Sequence, residues 1–268
     1  MASSYEGFAH LYDKLQSDVP YDDYVDYYLK ALEKFGGEKG LCLDLGCGTG
    51  NITLRLSQKG FDMIGVDSSL DMLDVAREKA ERSGANILFL NQDMRSFELY
   101  GTVGAVFSSL DCMNYVTDSD DLKKVFELVN NYLDPGGIFV FDMNSEYKLA
   151  HILGDNTYVS SDEDIFYSWE ISFDEESRIC TFYLTFFEKY EDLCETYDEE
   201  RRENVYYTKV LYERFDEVHE ERAYSVDEIK KLLEDAGLEF LGAYDDLSFE
   251  PWKDDSERIF FIARNVDK

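Results

Sequence analysis

The sequence predicts an α/β fold, a mostly parallel sheet with helices on both faces, interrupted by an inserted antiparallel β meander. Three observations predict it. Apolar runs of strand length alternate with amphipathic stretches along the first half of the chain. The first run, "LCLDLGCGTGN" (residues 41–51), ends in glycines at positions 46, 48 and 50 just where a helical stretch begins. Between about Asn144 and Ala223 the pattern changes to the strict alternation of half-exposed strands.

The elements follow in order. A Tyr- and Asp-rich N-terminal segment reads as helical, and the strand runs are then "LCLDL", "DMIGV", "NILFL", "VGAVFS" and "GIFVFDM". Between them, Leu70, Leu73, Ala76 and Ala80 recur at helical spacing, and so do Leu122, Val125, Phe126, Val129 and Leu133. The second of these helices stops at Pro135-Gly136, since proline cannot continue it. In the inserted part, Ile165, Tyr167, Trp169, Ile171 and Phe173 share one strand face, "DEES" is the turn to "RICTFYLTFFEK", and "ETYDEERREN" reads as a charged loop before "VYYTKVLYERF". No Pro/Gly-rich linker flanks the insertion, so it is expected to pack on the sheet and cover the site side. Ser225 and Glu228 stand at capping-box spacing before Ile229, Leu232, Leu233 and Ala236, with Gly237 as the stop. "LEFLGAY" and "RIFFIAR" close the sheet. The expected division is residues 1–143 with 224–268 as one domain, of which 1–40 form a helical cover, and 144–223 as the inserted β subdomain.

Composition excludes several functions. The chain of 268 residues, 44% hydrophobic, can bury a sizeable core without staples. Its cysteines (Cys42, Cys47, Cys112, Cys180 and Cys194) have neither C-x-x-C spacing nor disulfide density, and its three histidines stand singly, so buried free thiols and no metal site are expected. No apolar stretch approaches the roughly 20 residues that span a bilayer, and the N-terminus lacks a signal pattern; the expectation is a soluble, cytoplasmic protein with no membrane partner. The formal charge of −32 repels a phosphate backbone, which argues against nucleic acid. It reads either as a solvated acidic surface or as attraction for a cationic partner.

The glycine-rich turn carries most of the functional information. A strand running into closely spaced glycines and then a helix lets a ligand approach the backbone, with amide groups pointing at it. A dinucleotide fingerprint requires G-x-G-x-x-G, and Asn51 occupies the place of its third glycine, which disfavours a nicotinamide dehydrogenase. The pattern present, Asp44 followed by Gly46, Gly48 and Gly50, resembles the first motif of the class I S-adenosylmethionine-dependent methyltransferases. The resemblance extends over roughly residues 40–145 and is completed by the last two strands.

That resemblance implies a Rossmann-like, seven-stranded sheet and S-adenosylmethionine as cofactor. It implies that Asp67, at the end of "MIGVD", holds the ribose hydroxyls; Asp67 and Ser68 also read as caps for the helix starting near Ser69. Asp93 and the backbone of Met94 are its adenine contacts, and "SSLDCMNYV", with Ser109 and Leu110, is the segment passing beneath the cofactor. "LDPGGIFVFDMN" is similar to the family's helix-turn-strand signature. Tyr12 and Tyr21 are candidates for closing over the methionine end, or for packing. Methyl transfer from an activated sulfonium depends chiefly on alignment, and only a weak acceptor needs a base. No catalytic residue is therefore assigned: Asp111, Asn114 and Tyr115 lie in the right segment but serve equally to orient it, and His10 fits a surface or packing role better than a base. The segment lacks the Asn/Asp-Pro-Pro-aromatic motif of many base and amide methylators, so a small-molecule acceptor is expected. The alternative is a catalytically weak cofactor-binding subunit that activates a partner. The aromatic insertion walls a substrate pocket or forms an interface, and the state is monomer or homodimer.

Overall fold

The computed structural model describes residues 9–198 and 200–266, and the first eight residues of the expected helical cover lie outside them. Two helices, α1 (Ala9–Leu15) and α2 (Tyr21–Phe35), precede the sheet. Then β1 (Leu41–Leu45), α3 (Asn51–Gln58), β2 (Asp62–Asp67), α4 (Leu70–Ser83), β3 (Leu88–Asn91) and β4 (Val103–Ser108) alternate. A 3-10 turn at Cys112–Tyr115 leads to α5 (Ser119–Tyr132) and β5 (Leu133–Asn144). After a short π-type segment, Lys148–Leu153, come β6 (Thr157–Ser161), β7 (Ile165–Asp174), β8 (Ile179–Asp198) and β9 (Glu203–Arg222). The chain closes with α6 (Val226–Asp235), β10 (Leu238–Asp245) and β11 (Arg258–Asn265).

These strands form a seven-stranded sheet in the order β10-β11-β5-β4-β1-β2-β3 and a separate four-stranded antiparallel sheet, β6-β7-β8-β9. In the first sheet β1 to β5 are parallel, while β11 runs antiparallel to both β5 and β10. Alternation within β5 shows how the sheet is buried on both sides. Phe139, Phe141 and Met143 join the core under α5 and α6, whereas Ile138 and Val140 join the one under α2 and α3. Tyr28, fully buried in α2, stacks on Phe107 with ring centroids 4.7 Å apart.

Local chemistry explains the helix ends. Ser69 caps α4 by accepting the Met72 amide, Asp118 caps α5 through the amides of Asp120 and Asp121, and Ser225 with Glu228 forms the expected capping box on α6. Two elements depart from the expectation: α5 ends at Tyr132, so that Leu133, read as helical, opens β5, and "ETYDEERREN", read as a loop, is mostly strand. Its flanks continue β8 and β9 in unbroken register, from Ile179 opposite Arg222 to Asp198 opposite Glu203. At the reversal the Asp198 carboxylate accepts the amides of Glu200 and Arg201, and Arg202 takes a positive φ of 54°. Cross-strand pairing thus overrides the charge run.

The inserted sheet lies on the carboxyl-end side of the main sheet. Ile165 and Phe186 pack with Ala9 and Leu11 of α1 and Met72 of α4. His10 of α1 bonds Glu188 at 2.8 Å, and Lys14 pairs with Asp162 at 3.1 Å. Among the described residues, no helix is long and apolar enough to cross a membrane.

Candidate cofactor and active site

The parallel strands end side by side at Leu45, Asp67, Asn91 and Ser108, and the order reverses between β1 and β4. In open α/β sheets a ligand crevice forms at such a switch point. The glycine turn lies there, and its three glycines have three different reasons. Gly46 has φ +79°, and a Cβ on it would meet the Sγ of Cys112 at 2.8 Å. Gly50, φ +76°, caps α3 and would press a Cβ against Ala76 at 3.1 Å. Gly48, φ +51°, has no neighbour within 4 Å of where a Cβ would stand. A left-handed backbone facing open space is what a ligand needs to reach the peptide plane.

Asp67 is set against this opening. Its Oδ2 accepts the Gly48 amide at 2.8 Å and its Oδ1 accepts the Ser69 amide at 2.9 Å. A carboxylate can only accept, the chemistry that ribose hydroxyls require. Burial raises its pKa, opposed by the amides of Ser69, Gly48 and Ser68. Asp44 lies deeper: it is buried and accepts the Thr53 hydroxyl at 2.5 Å, tying β1 to α3, and burial pushes it up to about 7. Its position supports the turn from behind instead of facing the opening.

The other sequence candidates are spread around the rim. Ser68 is exposed, and its carbonyl accepts the Asn91 amide at 2.9 Å. Asp93 is engaged by Arg95 through contacts of 2.9 and 3.1 Å, and that guanidinium holds its carboxyl below the usual range despite partial burial. The Met94 methyl comes within 3.5 Å of a Cβ built on Gly46, so this side chain borders the glycine turn. Ser109 is buried and exchanges a 2.6 Å hydrogen bond with the Tyr28 hydroxyl. Leu110 holds a positive φ of 59° while its amide donates to Asp142 at 2.9 Å. Tyr12 is half-buried against the cluster formed by α1 and the inserted sheet. Tyr21 is buried beside Asn51, and Arg55 sits 5.0 Å from its ring.

Sequence reasoning missed three constellations. Asp13 of α1 accepts from Thr49 at 2.6 Å, Asn51 at 2.8 Å and Lys79 at 2.5 Å, so one carboxylate fastens the N-terminal cover to the glycine turn and to α4. These partners lower its pKa against the opposing effect of burial. Arg258 of β11 bonds Asp111 at 2.6 Å and also pairs with buried Asp142, which accepts the amides of Leu110 and Asp111. The third is Tyr115 with His219 and Glu217, from the inserted sheet. Asp111 and Tyr115 stand out in the sequence as members of the segment after β4, but their partners Arg258 and His219 lie 147 and 104 positions away. Asn114, fully buried, bonds the backbones of Asn144 and Arg222, so it orients the segment after β4. Among the described residues no group of His, Cys, Asp or Glu could hold a metal ion.

A cavity of about 290 Å³ opens beside this segment, lined among others by Leu15, Pro20, Tyr24, Leu110, Asp246 and Arg258. The open face of Gly48 and the Asp67 carboxylate beside it fit the approach of a nucleoside to the glycine turn.

Comparison with known proteins agrees. Residues 42–137 match the family described as "Methyltransferase domain". YqeM of Bacillus subtilis (strain 168), which carries the name of a methyltransferase, is 36% identical over 262 residues, 97% of this chain and 96% of its own. The crystal structure of an S-adenosylmethionine-dependent methyltransferase from Clostridium acetobutylicum ATCC 824 is 34% identical, covers 98% of this chain and 99% of that one, and superposes with a TM-score of 0.83. The S-adenosylmethionine-bound CalS10 of Micromonospora echinaspora, an amino pentose methyltransferase, shares the fold at 15% identity, with 99% of each chain covered and a TM-score of 0.68. The chain belongs to the S-adenosylmethionine-dependent methyltransferases, with S-adenosylmethionine as its cofactor.

Proposed function

We propose that the protein methylates a small-molecule acceptor. The observation that carries this reading is the cavity of about 290 Å³ between the N-terminal helices, the segment after β4 and the β10–β11 connection. Its size matches a metabolite-scale ligand and not a protein or nucleic-acid surface. The charge of −32 further disfavours a nucleic acid. CalS10, which acts on an amino pentose, has the same layout and lends support of the same kind.

When bound, S-adenosylmethionine supplies a methyl group already activated on a sulfonium. What the chain must add is alignment and dryness. Asp67 and the Gly46–Gly50 turn hold the nucleoside, while α1 and the inserted sheet keep water out. Asp13 closes this cover by bonding Thr49, Asn51 and Lys79 together.

The deciding experiment incubates the purified protein and methyl-labelled S-adenosylmethionine with fractionated metabolite extract. Label is expected in a low-molecular-mass product. Label found only in protein or nucleic acid would sink the small-molecule reading.

A further inference from the structure

The inserted sheet and the turn after β4 meet through three polar side chains that cofactor binding does not use. Tyr115 ends the 3-10 turn, and its hydroxyl lies 3.2 Å from Nδ1 of His219 on β9. The other ring nitrogen, Nε2, is 2.6 Å from Oε2 of Glu217. The two β9 residues are two positions apart and therefore share a strand face, with His219 only 3% exposed and the Glu217 side chain 9%. Tyr115, half-buried, meets the imidazole edge-on at 5.8 Å between ring centroids.

The direction of this chain follows from donor inventory. A carboxylate only accepts, so the contact with Glu217 places the ring proton on Nε2. Nδ1 then carries a lone pair, and the Tyr115 hydroxyl donates to it. Hydroxyl, imidazole and carboxylate stand in the order that lets a weak hydroxyl take up a proton. The turn bearing Tyr115 is also held at the site. Cys112, three residues earlier, packs on Gly46, and Asp111 bonds Arg258 at the cavity wall.

We propose that Tyr115 receives the acceptor's proton, with His219 and Glu217 as positioning residues behind it. This rests on the methyl-transfer reading above. As the acceptor heteroatom bonds to the methyl carbon, the carbon–sulfur bond breaks and its electron pair neutralises the sulfonium. The acceptor's proton passes to Tyr115 Oη while the phenolic proton moves to His219 Nδ1, leaving an imidazolium against the Glu217 carboxylate. Such a relay serves an acceptor atom that bears a proton, a hydroxyl or an N–H, and is of no use to a thioether or a tertiary amine. The titratable groups packed around His219 are Tyr115 from the turn, Glu217 and Glu221 from its own strand, and Cys180 opposite Glu221 on β8. Asp111, Arg258 and Lys148 act on Glu221 from beyond.

Two measurements on the full chain test the proposal. Nitrogen-15 NMR of the imidazoles, assigned with His10→Gln and His151→Gln variants, is expected to show His219 as the Nε2–H tautomer, with its Nδ1 resonance displaced in Tyr115→Phe. An Nδ1–H tautomer, or a resonance unmoved by Tyr115→Phe, overturns the chain. In the labelled-methyl assay with metabolite extract, Tyr115→Phe and His219→Gln are expected to lower transfer about 100-fold. Both should leave cofactor affinity unchanged and change the shape of the pH–rate profile from that of the wild-type protein. Wild-type rates or a parallel pH profile in these variants overturn the relay. A wild-type protein that binds the cofactor but labels nothing overturns the methyl-transfer reading itself, a result distinct from loss in the variants alone.

Discussion

Asp67 braces the glycine turn and, in the function proposed above, holds the nucleoside. It accepts the amides of Gly48 and Ser69, which fixes its rotamer beside the glycine turn. Removing the carboxylate takes away the brace on the glycine turn and, on the proposed reading, the ribose acceptors. Asp67→Ala is therefore expected to raise the S-adenosylmethionine Kd by at least about tenfold, since hydrogen bonds to a charged group are worth about 1.5–3 kcal/mol each. Isothermal titration calorimetry reads this directly, and unchanged affinity would remove Asp67 from the site. Asp44 behaves differently because it is sealed behind the turn, where its bond to Thr53 organises α3.

At the level of elements, α6 illustrates how little sequence is needed to define a boundary. Ser225 accepts the Glu228 amide at 3.2 Å, and the Glu228 carboxylate returns a 2.8 Å bond to the Ser225 amide while also pairing with Arg178 at 2.7 Å. The cap thus joins the main sheet to the start of β8. Ser225→Ala is expected to cost about 1 kcal/mol, lowering Tm by a few degrees in differential scanning calorimetry. A change below half a degree would show that the Arg178 pairing holds the helix end unaided. Strands β8 and β9 pose the opposite case. Tyr190, Leu193, Tyr197, Tyr206, Tyr207 and Tyr212 are all exposed, so beyond Glu188 the ribbon is held by backbone pairing and not by a core.

The whole molecule carries far more carboxylates than its ion pairs neutralise, and self-repulsion opposes compactness. Buried acids add to this. Asp44 is raised from 3.8 to about 7 by burial, and Glu221 is also raised by burial. A folded-state pKa above the unfolded value contributes stability that is present below the unfolded value and lost as pH rises through the folded one. Asp13, Asp93 and Glu228, lowered by their partners, work in the other sense: their contribution is present above about pH 4 and lost on acidification. Stability is therefore expected to peak on the acid side of neutrality. Tm should fall from pH 6 to pH 8.5 and recover partly on adding salt to about 0.15 M, where the Debye length is about 8 Å. A Tm that climbs over that pH range would show that the paired carboxylates dominate.

Strand runs, helix caps and the spacing of Gly46, Gly48 and Gly50 were legible in the sequence because each rests on neighbours within a few residues. Periodicity, capping and left-handed turns are local physics, and through them the chain by itself determined its α/β sheet and its inserted meander, while the cofactor class followed from the resemblance carried by the glycine motif. Asp13 with Lys79, Asp111 with Arg258, and Tyr115 with His219 and Glu217 were not legible. Each pairs groups brought together only when α1, β11 and β9 converge on the carboxyl ends of the parallel strands. Burial gives such contacts their strength, by removing the water that would otherwise compete for the same donors and acceptors, and burial is a property of the assembled tertiary structure alone.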